Sequence, residues 1–248
     1  MFGLYNFFDR LKQGFAFRPE EIKSLLMAII VLTFILGFDD GRQSFELLPW
    51  FLNLINCLLV ITLAILVRET AHRLAAIKYG HQVEMKLWGV GLGASLLISL
   101  FIRLFFPSSK FLFLVYGGIV LSIIPRQRLG HFRFGLSYND MAAVAFWGNI
   151  SNLLLALFFK IFTYLPNPLI RTAMEINLIM AVINMLPFPP LTGSIILFSH
   201  RTFYVFSLVL VLVASAFMLT SSVLVTLIGS VIIAALLALL YNVFFELK

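Results

Sequence analysis

Three polar clusters interrupt otherwise apolar stretches of this chain. The first is Arg68-Glu69-Thr70-Ala71-His72. On a helix Arg68 and His72 are one turn apart and share a face, while Glu69 points about 100° away. A carboxylate and a neutral imidazole accept protons or bind cations, whereas a guanidinium is a permanent charge. Inside lipid such groups are costly and come with a partner or a task; at the end of an apolar helix they simply mark where the helix meets water, with Arg68 reaching for the headgroups. The second cluster, Asn184-Met185-Leu186-Pro187-Phe188-Pro189-Pro190-Leu191-Thr192-Gly193, puts three prolines into four positions. Prolines remove backbone donors, and broken backbone at membrane depth survives only where protein or a wet cavity satisfies it; a connector at the membrane surface has no such demand. The third, Gly148-Asn149-Ile150-Ser151-Asn152, places a glycine and two asparagines in an apolar run, which by itself speaks for close helix packing with interhelical hydrogen bonds.

In this order the clusters resemble the site-2 protease family of intramembrane zinc metalloproteases. That family carries H-E-x-x-H on one membrane helix, G-P-x-x-N on the next core helix and N-x-x-P-x-P-P-L-D-G on a third. Here the corresponding segments read R-E-T-A-H at 68–72, G-N-I-S-N at 148–152 and N-M-L-P-F-P-P-L-T-G at 184–193. The flanks are similar too: the Tyr79-Gly80 pair followed by Glu84 and Trp88, and His131-Phe132-Arg133-Phe134-Gly135 ahead of the middle motif. The resemblance covers most of residues 18–200, and its proline-rich motif is the specific part. It implies a three-helix core within residues 50–200, a zinc ion held by two histidines and an aspartate, and a glutamate acting as general base on metal-bound water.

The departures fall on that chemistry. Arg68 stands at the first histidine position, Glu69 at the base, His72 at the second histidine and Thr192 at the aspartate. Arginine offers no lone pair and its charge repels a cation, threonine brings no negative charge, and one imidazole does not make a catalytic zinc site, which needs three protein ligands and a water. Without metal nothing lowers the pKa of water from about 15.7 to about 7, so Glu69 is a vestigial catalytic position. We expect no metal and no cofactor. The expectation for Arg68 is that its guanidinium occupies the vacated metal position and pairs with Glu69, Glu175 or carbonyls freed by the prolines. Asn149, Asn152, Asn184, Pro187, Pro189 and Pro190 remain as the residues that hold an extended polypeptide.

Elements able to position these clusters must lie in a membrane. The chain has 248 residues, 61% of them hydrophobic and only 12% charged, with 27 phenylalanines. Its mean hydropathy is +1.03. A water-soluble domain carries about 25% charged residues, so this composition excludes one. A helix crosses about 30 Å of hydrocarbon with about 20 apolar residues, and residues 22–38, 50–67, 141–165, 169–186, 195–219 and 223–247 qualify. We expect an all-α polytopic protein with six transmembrane helices, seven or eight if the central region 87–125, which opens with a glycine-rich apolar run at 87–106, crosses, and a broken proline-rich segment. The run 111–124 is too short for a confident span and is open between a re-entrant segment, membrane-embedded strands and the return leg of a hairpin. Residues 1–21 form an aromatic, amphipathic leader along the interface, and residues 22–248 one transmembrane domain. Cys57, the single cysteine, rules out disulfides and reads as apolar filler.

The formal charge of +7 arises from 18 basic and 11 acidic residues spread between apolar runs rather than on one face. They read as topology signals and headgroup contacts, not as a nucleic-acid surface. Arg10, Lys12, Arg18 and Lys23 precede the first run, Arg73, Lys78 and Lys86 follow the second, and Arg126, Arg128 and Arg133 sit in the central loop, whereas 39–49 holds only Arg42. The amino terminus is expected in the cytoplasm and the protein in the cell membrane. The leading functional expectation is a pseudoprotease that binds or shelters a transmembrane protein segment. Two others stand beside it: an active metalloprotease with a noncanonical metal site, for which His81, His131 and His200 are the spare imidazoles, and a small transporter or lipid-binding protein with Arg68, Glu69, His72, Asn149 and Asn152 along a polar pathway.

Overall fold

The computed structural model describes residues 11, 14–39, 41–42, 45–106, 112–123 and 137–246. Its first long helix, α1 (Pro19–Gly37), has proline at its start, where the missing N–H is no loss. The Glu21 carboxylate reaches back to the Arg18 N–H at 2.8 Å, satisfying one donor of the helix entrance. Helix α2 (Leu47–Tyr79) runs for 33 residues, about 50 Å at 1.5 Å per residue, and stops at Gly80, whose φ of 82° ends the helix in the left-handed region. Strand β1 (His81–Leu87), α3 (Gly89–Phe105), β2 (Gly117–Ile123), α4 (Tyr138–Ile161), α5 (Pro168–Asn184), α6 (Thr192–Ser199), α7 (Arg201–Thr220) and α8 (Val223–Tyr241) follow, with a last π turn at Asn242–Glu246.

Among the described residues four helices are long and apolar enough to cross a membrane: Leu47–Tyr79, Tyr138–Ile161, Arg201–Thr220 and Val223–Glu246. The most apolar stretch of α4 is 50% buried inside the protein and that of the last helix only 22%, so α4 is the axial helix and α8 the most peripheral of the four. Run 22–38 does form a helix, but Glu20, Glu21 and Lys23 lie in its first turns. The runs expected at 87–106 and 169–186 fold into helices of 17 residues each, α3 and α5, about 25 Å long. Run 195–219 is divided at His200 into α6 and α7.

The all-α expectation needs one correction. Run 111–124 supplies β2, which pairs antiparallel with β1 in a register that sets Val83 opposite Leu121 and Met85 opposite Ile119. Those four side chains form one buried face, while Glu84 and Val120 lie opposite each other on the other. The phase is fixed by the Trp88 N–H, which donates to the Tyr116 carbonyl at 3.0 Å. Even-numbered residues of the two strands therefore bond to each other and odd-numbered ones turn their backbone groups outward. On the β1 side the outward Met85 N–H donates to Glu21 Oε1 at 2.9 Å. On the β2 side, among the described residues, Ile119 and Leu121 have no backbone partner.

Arg73, read above as a topology signal, is buried instead. Its Nη2 lies 2.7 Å from Glu21 Oε1, the two side chains being 2% and 5% exposed, and its guanidinium stacks 3.9 Å over the Phe17 ring. Arg18 reaches Glu84 of β1 at 2.5 Å. The start of α1 is thus fastened to α2 and β1 at once. At the other end of the bundle Lys160 of α4 donates to the Phe217 carbonyl at 3.2 Å, the Met218 carbonyl at 2.5 Å and the Ser221 carbonyl, closing the carboxyl end of α7. The leader's residues 1–10 and the central loop with Arg126, Arg128, His131 and Arg133 lie outside the described residues.

The Glu21–Arg73 pair yields a first prediction. Glu21→Ala leaves a buried guanidinium without its counter-ion, a loss of about 3–5 kcal/mol. Thermal unfolding in detergent should show a large drop in Tm for Glu21→Ala and a smaller one for Glu21→Gln, which keeps a hydrogen-bond acceptor; an unchanged Tm in both would mean that the pair contributes nothing.

Candidate functional site

All three polar clusters meet between α2, α4, the end of α5 and the start of α6. Arg68 is 1% exposed, and Glu69, His72, Asn149, Asn152, Asn184 and Thr192 are equally enclosed. None of them marks the water boundary; the set is interior.

Arg68 is held by two hydroxyls. Its Nη1 donates to the Tyr116 hydroxyl at 2.9 Å and its Nη2 to Thr192 Oγ1 at 3.3 Å. The Tyr116 hydroxyl in turn donates to Glu69 Oε1 at 2.9 Å. Glu69 therefore reaches Arg68 through a phenol rather than directly. The expected pairing with Glu175 is corrected: Glu175 accepts from Arg171 Nε at 2.9 Å, one turn away on the exposed side of α5. The prolines supply no carbonyl to Arg68 either, since the hydroxyl of Thr192 meets it instead.

Thr192 opens α6 directly after the proline segment. Its hydroxyl lies 2.9 Å from Asn149 Oδ1 and 3.1 Å from the Asn184 carbonyl, so the one proton serves either acceptor while the oxygen accepts from Arg68. Asn149 extends the chain from its amide to Met185 Sδ at 3.3 Å. Asn184 turns its amide back on the Met180 carbonyl of its own helix at 2.7 Å, which leaves its backbone carbonyl for Thr192. Pro187 and Pro189 are exposed, and Pro190 lies against β2: a Cβ at Gly118 would stand 2.2 Å from the Pro190 carbonyl oxygen. Val115, just before β2, packs with Leu191 and Ile183 beside that contact.

His72 is oriented by the axial helix. Its Nδ1 lies 2.9 Å from the Val144 carbonyl, and because a carbonyl only accepts, Nδ1 carries the hydrogen and Nε2 presents a lone pair. The imidazole lies flat on Gly148, where a Cβ would fall 1.9 Å from the ring. Among the described residues, His72 Nε2, Glu69 Oε2, Arg68 Nε and both amide atoms of Asn152 have no hydrogen-bond partner.

The donor set does not fit zinc. Of the three positions at which the family resemblance implies ligands, two carry a guanidinium and a hydroxyl that are bonded to each other, and one carries His72. Among the described residues no group of three His, Cys, Asp or Glu side chains converges on a point. The spare imidazoles do not complete one: His81 Nε2 pairs with Asp140 at 3.2 Å, His200 accepts the Phe203 N–H at the start of α7, and His131 lies outside the described residues.

Tyr116 and Met185 are the members of the network that sequence reasoning missed. Tyr116 is one aromatic residue in an apolar run, with no spacing that ties it to residues 68 and 69. Its signal was a phenolic hydroxyl inside a run too short to span, directly before Gly117 and Gly118.

Against this geometry, one curated protein stands out. The chain is 25% identical over 189 residues, 74% of its own length and 86% of the other's, to a Methanocaldococcus jannaschii protein named "Putative zinc metalloprotease MJ0611". No known family's sequence profile matches the chain, and no solved structure matches it. The chain is thus metalloprotease-like in sequence and built around helices suited to a membrane.

Gly148 provides the second prediction. Gly148→Ala drives a methyl group into the His72 ring in a packed interior, where overpacking costs about 1–3 kcal/mol and sometimes more. Ser151→Ala one turn along is the control, its side chain being only partly buried. The alanine at 148 should lower Tm in detergent well below both wild type and the control; equal melting of all three would place the imidazole elsewhere.

Proposed function

We propose that this protein is a catalytically silent relative of the site-2 proteases, which binds a transmembrane segment of another protein and does not cut it. The observation that carries the reading is the hydrogen bond between Arg68 and Thr192: a fixed positive charge and a hydroxyl stand together where a metalloprotease needs ligands with free electron pairs. Glu69 keeps the general-base position but is tied to Tyr116, with no activated water to deprotonate. The likeness to the archaeal protein over three quarters of the chain supports a shared scaffold.

On this reading the retained machinery is for holding. The outward backbone of Ile119 and Leu121 on β2 receives an unwound segment as an added strand, and Asn184 with Pro187, Pro189 and Pro190 forms the facing wall. Asn149 and Asn152 keep the axial helix polar on that side. The client comes from the bilayer, so the partners are lipid and a membrane protein, not nucleic acid. Six or more spans, an amino terminus in the cytoplasm and residence in the cell membrane complete the proposal.

Zinc analysis separates this from an active protease. Protein purified without chelator should carry substoichiometric zinc, and Arg68→His with Thr192→Asp together should acquire about one zinc per chain, because that pair restores two ligands beside His72. Stoichiometric zinc in the wild type, lost on His72→Ala, would end the silent reading.

A further inference from the structure

We propose that Arg68 is a latch across the groove: one arm of its guanidinium holds the start of β2 through Tyr116 and the other holds the proline segment through Thr192, so that the two walls stay closed until those bonds are exchanged. The inference rests on the peptide-holding reading above and adds its regulation.

The two anchors are what place Arg68 across the groove rather than beside it. Tyr116 immediately precedes β2, and Thr192 is the second residue after Pro190. Both bonds come from one rigid, planar group, so their separation is fixed by the fork of the guanidinium and not by two independent side chains. Between the anchors the walls touch: Gly118 admits the Pro190 carbonyl oxygen at a distance no Cβ would allow, and Val115 packs on Leu191. Pro190 lies over the face of the sheet that Glu84 and Val120 share, so an extended chain added at the edge of β2 directs the side chains of that face against it. Binding therefore requires Pro190 to withdraw from Gly118, and withdrawal stretches the Thr192 arm.

The latch is built to be exchanged rather than broken outright. Arg68 Nε is without a partner among the described residues, and each Nη carries a second hydrogen, so a guanidinium leaving Thr192 has donors to offer an arriving carbonyl. Thr192 in turn retains the Asn149 and Asn184 acceptors that its hydroxyl already touches. The latch is held by hydroxyls and not by a carboxylate, which keeps each arm weaker than an ion pair.

The test measures the groove without needing a client. Spin labels are placed at Val120 on β2 and Phe188 in the proline segment, which are 43% and 61% exposed, after Cys57→Ala removes the single cysteine. Electron–electron resonance on the full chain in nanodiscs should give one narrow distance distribution for the parent. Arg68→Met, Thr192→Val and Tyr116→Phe should each move it to longer distances and broaden it, Arg68→Met most. Thr192→Val and Tyr116→Phe each delete one arm and keep the guanidinium, which preserves the test if Arg68→Met does not fold. Unchanged distributions in the folded variants would overturn the latch. A second arm adds a leucine-rich synthetic transmembrane peptide with a central Gly-Pro pair and a photo-crosslinker, whose capture should rise several-fold in Thr192→Val. Widened distances with no capture by any variant would uphold the latch and count against the peptide-holding function itself.

Discussion

A guanidinium that cannot lose its proton is enclosed at the centre of this protein, and the surrounding architecture follows from what that enclosure demands. Placing an arginine at the bilayer centre costs about 2.5–3.5 kcal/mol even on insertion scales, so its donors must be met from within. Two hydroxyls meet them here, and each comes from a segment that interrupts the helical bundle. Tyr116 reaches the site because a short strand pair brings the chain back beside α2. Thr192 reaches it because three prolines halt α5 and let α6 start at a new angle. The breaks in regular structure and the buried charge are one feature seen from two sides.

The negative charge that balances the arginine is kept at one remove. Glu69 is next to Arg68 in sequence but points elsewhere on the helix, and the phenol of Tyr116 spans the gap. This spacing matters chemically: a general base must face the proton it removes, and here the carboxylate is spent on holding a phenol. His72 is fixed in the same way, its Nδ1 committed to a backbone carbonyl of α4 and its ring pressed on Gly148. The site therefore has the rigidity of an active centre, with a guanidinium and a hydroxyl at two of the three positions where the resemblance implies metal ligands.

The three clusters and their meeting were legible in the sequence because costly residues in apolar runs point inward and because their order matched a known pattern. The expected partners of Arg68 were not, since the sequence favoured carboxylates and the fold chose hydroxyls. Tyr116 carried no periodic signal, and strand β2 sat in a run that fitted three conformations equally well. Strand β1 did show alternation, His-Gln-Val-Glu-Met-Lys-Leu, but a single such stretch after a helix is weak without its partner. Arg73 was misread because a basic residue at the end of an apolar helix ordinarily meets headgroups; its partner Glu21 lies 52 positions earlier, beyond the reach of any local rule. Span lengths were the least legible, because apolar composition does not say where a helix stops.

The carboxylate of Glu21, seated on the Met85 N–H, also decides how copies of this protein can associate. An open two-stranded sheet has two templating margins, and chains that join through both propagate into ribbons. Here one margin is already occupied by a side chain from the same molecule. Strand addition at the Met85 position of β1 is thereby blocked, and the margin that stays open at Ile119 and Leu121 is that of β2.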